Sequence, residues 1–409
     1  MALPRLLGLL LLLSSTLFGV CQAIVLKTSG RFIVDPSGKR VKFRCVNWAG
    51  HMETHIPEGL QHQPVDTISS WIANNGFNCV RLTYSIDAAL NLGQSVSAAF
   101  TAAASAAGVS SSQMSSLYSS VQSKNSFVSS STVQGVFDTV IKSLESHNIL
   151  VILDNHVSRA SWCCGTSDGN GWFKQGSGYN AANSQYFDVP NWLKGLQSMA
   201  TLAKSHPNVV AMSLRNELRT VSGQNSNNND WYTYIGQGAS AIHNTNSNLL
   251  IVIGGTSYAL NLGMLYDKPL DRSAFPDKVV WEVHSYSWSY GSGVATNCQS
   301  LATTIGNGAG YLLAEGKPYT GPLWMSEFGV PQTLKSGDSD YQYLQCLRQY
   351  LESNDADWSY WALQGDYYVR DKSINLSESF GLLKDDWSGT RNPSFLGYLG
   401  KMRDVTQGP

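Results

Sequence analysis

The sequence predicts an α/β fold, a (β/α)8 barrel (TIM barrel) carried by a single domain. Three observations lead there. A short apolar, β-prone run recurs eight times, helical segments lie between the runs, and all but one of the runs end in polar or aromatic residues. Runs of Val, Ile and Leu without strict alternation suit strands buried on both faces, as in a parallel sheet. Eight such strands alternating with helices close into a barrel. An open doubly wound sheet is the alternative, but no Gly-x-Gly-x-x-Gly loop follows the first strand.

The runs are VKFRCVNW from Val41, FNCVRLTY from Phe77, ILVILDNH from Ile149 and VVAMSLRNE from Val209. LLIVIGG from Leu249, VVWEVHSY from Val279, PLWMSEFG from Pro322 and DWSYWALQ from Asp357 complete them. Helices are predicted over Pro64 to Gly76 and Val133 to Asn148. In the second, Val136, Phe137, Val140, Ile141 and Leu144 recur at spacings of three and four. Asn148 suits the helix stop. Asn91 to Ser131 is rich in Ser and Ala and reads as an inserted, partly helical excursion after the second strand. Ser222 to Asp230 reads as a polar loop after the fourth. Neither a linker nor an internal repeat divides the chain.

Residues 1–23 have a basic start (Arg5), an apolar core from Leu6 to Leu13 and small or polar residues near Ala23. That is the layout of a secretory signal peptide, and the core is too short for a membrane span. The competing reading is an uncleaved anchor. The catalytic domain is then expected over 24–409, outside the cell. Without Arg5 the chain has 27 basic and 29 acidic side chains, a formal charge of −2 that gives no pull towards nucleic acid or an anionic membrane. Aromatics make up 11% of the chain against 14% charged residues. Flat rings with polar edges suit sugar faces, though they suit cores equally.

Cys21 leaves with the leader, so six cysteines remain: Cys45, Cys79, Cys163, Cys164, Cys298 and Cys346. An even number in a secreted chain favours disulfides, with fifteen connectivities open. Adjacent Cys163 and Cys164 are expected to take different partners, because a bond between neighbours strains the peptide. Asn375-Leu376-Ser377 is a glycosylation sequon. His51 and His55 have metal-ligand spacing, but nearby Pro57 and the absence of a glutamate beside the first His favour a loop.

In a parallel barrel the chemistry sits at the carboxyl ends of the strands. Those ends carry Asn47 and Trp48, Arg81, Asn155 and His156, Asn216 and Glu217, His284 and Tyr286, Glu327 and Trp361. Taken singly, such a glutamate is usually a loop residue, and such a histidine a structural one. Two glutamates three strands apart on one rim are different, because glycoside hydrolysis requires a pair of carboxyl groups. Asn216 could bind a sugar hydroxyl, and Arg81 could hold Glu327 ionised. His284 and Tyr286 could orient a glutamate, and Trp361 offers a flat face. Trp48, Trp162, Trp172 and Trp288 are further candidates for lining a cleft.

SLRNEL, WMSEFG, NCVRLTY, LDNH and HSY resemble the marker segments of family 5 glycoside hydrolases, the cellulase family of (β/α)8 barrels. LDNHVSRASWCCGTSDGNGWF with SLRNELR is most similar to the plant and fungal cellulase-like branch. The resemblance runs from about Val41 to Arg391. It implies a retaining mechanism, with Glu217 as acid/base and Glu327 as nucleophile. Arg81, His156, Asn216, His284, Tyr286 and Trp361 match the remaining site positions; Leu218 departs from the usual Pro after the acid/base. The expectation is a monomeric enzyme acting on β-linked oligo- or polysaccharides, endo-β-1,4-glucanase-like, with no cofactor or metal and no nucleic-acid or membrane partner. A β-mannanase, an exo-acting β-glucosidase or transglycosylase of the same mechanism, and a non-catalytic carbohydrate-binding pseudoenzyme are the alternatives.

Overall fold

The computed structural model describes residues 24–224, 228–291, 293–400 and 402–409, so the predicted leader lies outside the described residues. Eight parallel strands close a barrel: β1 (Arg44–Trp48), β2 (Cys79–Ser85), β3 (Leu150–Val157), β4 (Val209–Ser213), β5 (Leu250–Gly254), β6 (Val279–Ser285), β7 (Leu323–Phe328) and β8 (Asp357–Tyr360). β8 pairs with both β7 and β1, which closes the ring. Every predicted run holds one of these strands. Their near-continuous apolar character follows from burial on both faces, against helices outside and the barrel interior within.

The two predicted helices form over Val65–Asn74 and Val133–Ser146. Val136, Phe137, Val140, Ile141 and Leu144 are all buried on the second. Asn148 takes a positive φ of 58°, the left-handed turn that stops a helix. The Ser/Ala-rich excursion is a helical hairpin, Val96–Ala107 and Ser111–Lys124. Its serines act at the helix starts: Ser95 accepts from the Ala98 N–H, and Ser110 forms a capping box with Gln113. Small alanines let this hairpin pack closely, and Phe100 meets Tyr368 at 5.6 Å. The predicted loop Ser222 to Asp230 is shorter than expected. Residues 225–227 lie outside the described residues, and a helix starts at Asn228, with Asp230 buried in its first turn.

At the amino-terminal end of the barrel a short hairpin, Lys27–Ser29 paired with Phe32–Val34, forms a floor. Leu26 and Ile33 pack there against Ile152, Val210, Val252 and Trp324. Cys45 and Cys79, register partners on β1 and β2, are disulfide-bonded beside it. A second disulfide joins Cys298 to Cys346. The remaining pair corrects the sequence expectation, since Cys163 and Cys164 are bonded to each other. The peptide between them is cis. His51 and His55 lie in a loop, as expected, and the His51 ring accepts or donates at Thr83 rather than facing His55.

Candidate active site

β4 ends at Ser213, and the chain beyond it is held by side chains. Arg215 is fully buried, lies over the Phe187 ring at 3.9 Å and donates to Asn155 Oδ1, Ser158 Oγ and the Asn170 carbonyl. Asn216 N–H donates to the Asn155 carbonyl at 2.9 Å. Glu217 then takes a φ of +45°, an unfavourable conformation for a residue with a Cβ. Arg219 compensates. Its Nη1 donates to the Glu217 carbonyl at 2.9 Å, while Nε and Nη2 reach the Gly165 carbonyl and Asp168 Oδ2 at 2.9 and 2.6 Å. This clamp turns Glu217 into the barrel mouth. Leu218 is buried, and its carbonyl accepts from the Tyr258 N–H, which fixes the loop exit without proline.

Glu327 enters from β7 and is held on both oxygens. Arg81 Nη1 donates to Oε1 at 2.6 Å and Tyr286 Oη to Oε2 at 3.0 Å. His284 Nδ1 lies 2.9 Å from Glu217 Oε1 and 3.6 Å from Glu327 Oε2, so the imidazole bridges the glutamates. One oxygen from each glutamate and a His284 nitrogen all fall within 4.8 Å of one another. Beneath them Arg81 also donates to Asp154, Asn216, Glu282 and Asn47. Arg81 is fully buried and acts from inside the barrel rather than from its rim.

Three buried carboxyl groups, Asp154, Glu282 and Glu327, share the charges of Arg81 and His284. Burial favours the neutral imidazole of His284, but Glu327 and Glu217 outweigh it and raise its pKa to about 10. His156 goes the other way. Burial and the charges of Arg81 and His284 hold it well below the ordinary histidine value, so it is neutral and hydrogen-bonds Asp154 at 2.7 Å. Burial pushes Glu327 upward, with His284 and Arg81 opposing. The same cluster contains one histidine kept charged and one kept neutral.

The mouth opens into a cleft of about 570 Å³. His156, Asn216, Glu217, His284, Tyr286, Glu327 and Trp361 line it, which unites seven predicted site residues. Trp361 stacks on His156 with centroids 5.4 Å apart. Trp162 and Trp288 also line the cleft, whereas Trp172 is buried against Phe173.

Asn47 and Trp48 do not reach the cleft. Asn47 points inward and supports Arg81, with Nδ2 donating to Ser326 and Tyr360 carbonyls. Trp48, one residue on, faces outward by the alternation of a strand, packs near Trp387 and donates to the Glu58 carbonyl at 2.9 Å.

Sequence reasoning missed the hairpin beyond β8, Asp366–Arg370 with Ser373–Ser377, and the segment after it, which add Arg370, Glu378 and Phe380 to the cleft. Arg370 lies over the Trp162 ring at 3.5 Å and pairs with Glu378 at 3.2 Å. It also missed Asp154 and Glu282, buried charges inside apolar runs, the one signal available for them.

Among known proteins, the family described as Cellulase (glycosyl hydrolase family 5) matches residues 34–366. A protein from Chamaecyparis obtusa named a glycosyl hydrolase 5 family protein is 36% identical over 415 residues, covering all of this chain and 70% of that protein. Solved structures share the fold. The catalytic domain of the major endoglucanase from Xanthomonas campestris pv. campestris superposes with a TM-score of 0.70 at 21% identity, covering 92% of this chain and 99% of that one. A hyperthermophilic endocellulase from Pyrococcus horikoshii gives 0.71 at 19%, covering 94% of this chain and all of that one. A paired-glutamate site at the mouth of such a barrel, with a family match over most of the chain, makes this protein a glycosidase of the cellulase family, glycoside hydrolase family 5.

Proposed function

We propose that the protein is a secreted, retaining β-glycoside hydrolase acting on β-linked glucans, with Glu327 as nucleophile and Glu217 as acid/base. Glu327 attacks the anomeric carbon while Glu217 gives its proton to the departing glycosidic oxygen. That breaks the C–O bond and leaves a glycosyl ester on Glu327. Glu217, now a carboxylate, takes a proton from water, whose oxygen attacks the same carbon and frees Glu327. Inversion occurs twice, so the β configuration is retained.

The spacing of the two glutamates carries this reading. At least one oxygen of each glutamate lies within 4.8 Å of one on the other, which supports direct attack, whose carboxyl groups stand about 5–5.5 Å apart, over an inverting pair separated by about 6.5–9.5 Å. Arg81 and Tyr286 hold both Glu327 oxygens in place for attack. Trp361, which lines the cleft, gives a ring face for pyranose stacking. Secretion is supported by the leader pattern in residues 1–23 and by the pairing of all six remaining cysteines.

The test is a product profile of the purified protein on β-1,4-glucan, mixed-linkage glucan, mannan, xyloglucan, disaccharides and aryl β-glycosides. Proton NMR then follows the first-formed anomer. The β anomer from a β-glucan is expected; an α anomer would overturn the retaining assignment, and preference for mannan would overturn the substrate. Secretion predicts that a secreting host releases protein beginning near Ile24.

A further inference from the structure

The Cys163–Cys164 disulfide belongs to the wall of the cleft, beside the acid/base, and the mechanism above does not use it. Asn216 Oδ1 is taken by Arg81, which turns its Nδ2 towards the cleft, 3.6 Å from Cys163 Sγ and 3.4 Å from Cys164 Sγ. Both sulfurs and a Glu217 oxygen lie within 4.8 Å of one another. The spacing is fixed, because Arg219 ties the Gly165 carbonyl and Asp168 to the carbonyl of Glu217 itself.

We infer that the paired sulfurs form a sugar-contacting surface that helps set specificity in a ring flanking the scissile bond. The inference rests on the proposed glycosidase reading of this site. An acid/base must come within about 2.6–3.2 Å of the glycosidic oxygen to protonate it. The sulfurs therefore stand within about 10 Å of that oxygen, comparable to the span of one pyranose ring and one van der Waals contact. A disulfide has no hydrogen to donate, and its sulfurs are polarizable and weakly hydrated. It meets the C–H face of a ring, while the Asn216 Nδ2 donors behind it are held by the sulfurs and His156 Nε2. Equatorially substituted β-linked sugars present such a face; an axial hydroxyl turned towards the sulfurs would lose its hydrogen bond to water without replacement.

Protection from chemical modification tests this without altering a cysteine. The probe is cellotetraose, or the β-linked tetrasaccharide cleaved fastest in the product profile if wild-type protein leaves cellotetraose intact. Failure on cellotetraose thus counts against the proposed substrate alone. Glu327→Gln protein is saturated with the probe, binding being verified by tryptophan fluorescence. It is then treated with limiting phosphine reductant and N-ethylmaleimide, and labelled peptides are quantified by mass spectrometry. Bound probe should slow labelling of Cys163 and Cys164 at least fivefold and leave Cys298 and Cys346, away from the cleft, unchanged. Equal labelling with and without bound probe overturns the inference. In otherwise wild-type protein, Cys163→Ser with Cys164→Ser should raise KM about tenfold and change kcat less than threefold. A fall in kcat at unchanged KM would instead assign the disulfide to loop support and also overturn it.

Discussion

The two ends of this barrel are built from the same eight strands and do opposite things. At the floor, Cys79, Ile152, Val280 and Trp324 belong to one apolar cluster with Leu26 and Ile33 of the amino-terminal segment. At the mouth, two or three residues further along the same strands, Asp154, Glu282, Glu327 and Arg81 are as deeply buried. Burial stabilises the first set by the hydrophobic effect and penalises the second by desolvation. The comparison teaches that the mouth is costly structure kept for chemistry, supported by a floor that has none. Substitutions should therefore separate: activity without stability at the mouth, stability without activity at the floor.

The largest separation is expected at the glutamates. Glu327→Ala should lower kcat on the order of 10⁵-fold on every substrate, because the covalent route disappears. Glu217→Ala should cost about 10²–10⁴-fold on glycosides with poor leaving groups and less on activated aryl glycosides. Azide should restore turnover to the latter by replacing water in the second step. Initial rates across an aryl glycoside series check both. A loss for Glu217→Ala that ignores leaving-group quality would remove it from the acid role.

Arg81 is where the separation should fail. Arg81→Met leaves Asp154, Glu282 and Glu327 without their shared cation, an uncompensated buried charge costing about 3–5 kcal/mol. It also releases Glu327, so kcat should fall as well, by about 10²-fold or more. Urea denaturation and kcat on one aryl glycoside should therefore drop together. A stable but inactive variant would mean that the carboxyl groups simply take up protons.

The same contrast explains what the sequence makes legible. Eight buried strands leave apolar runs that no surface element imitates, so their number and order are readable. Glu217 and Glu327 stand out because a charge ending such a run needs a reason. Counting to the end of the run puts Asn47 and Trp48 together at the rim, yet a strand sends neighbours to opposite faces. Which of two residues faces in depends on register, and the run does not encode it. Asp154 and Glu282 lie inside the runs, where the buried Arg81, with His156 and His284, makes sense of them. The Cys163–Cys164 bond and the hairpin bearing Arg370 depend on loop conformation, for which no periodicity exists.

At the floor, Cys45→Ala with Cys79→Ala breaks a bridge closing 34 residues of chain. Loop-closure entropy gives a cost of about 3–4 kcal/mol. Because the bond lies at the end of the barrel away from the cleft, kcat and KM at 20 °C should stay within about twofold while the denaturation midpoint falls. Lost activity at a temperature where the variant remains folded would show that the floor sets the mouth's geometry, and the comparison would break.

The smallest effect expected is a change in pH dependence. Three buried carboxyl groups face two cations, Arg81 and His284, so full ionisation would bury a net negative charge. Asp154 carries the conflict. Burial raises it, Arg81 opposes, and Glu282 adds repulsion, which places it at about 6, while Arg81 and His284 hold Glu282 low against its own burial. A carboxyl raised in the folded state makes that state the tighter proton binder. Its contribution is fully present below the unfolded value of 3.8 and is lost as pH rises through about 6. Asp154→Asn keeps an acceptor for Arg81 and cannot ionise. Its melting temperature should thus gain on the wild type between pH 4 and pH 6 and run parallel to it above pH 7. A gap that stays constant across the whole range would assign the proton to another member of the cluster, with Glu327 next in line because its carboxyl is also raised by burial.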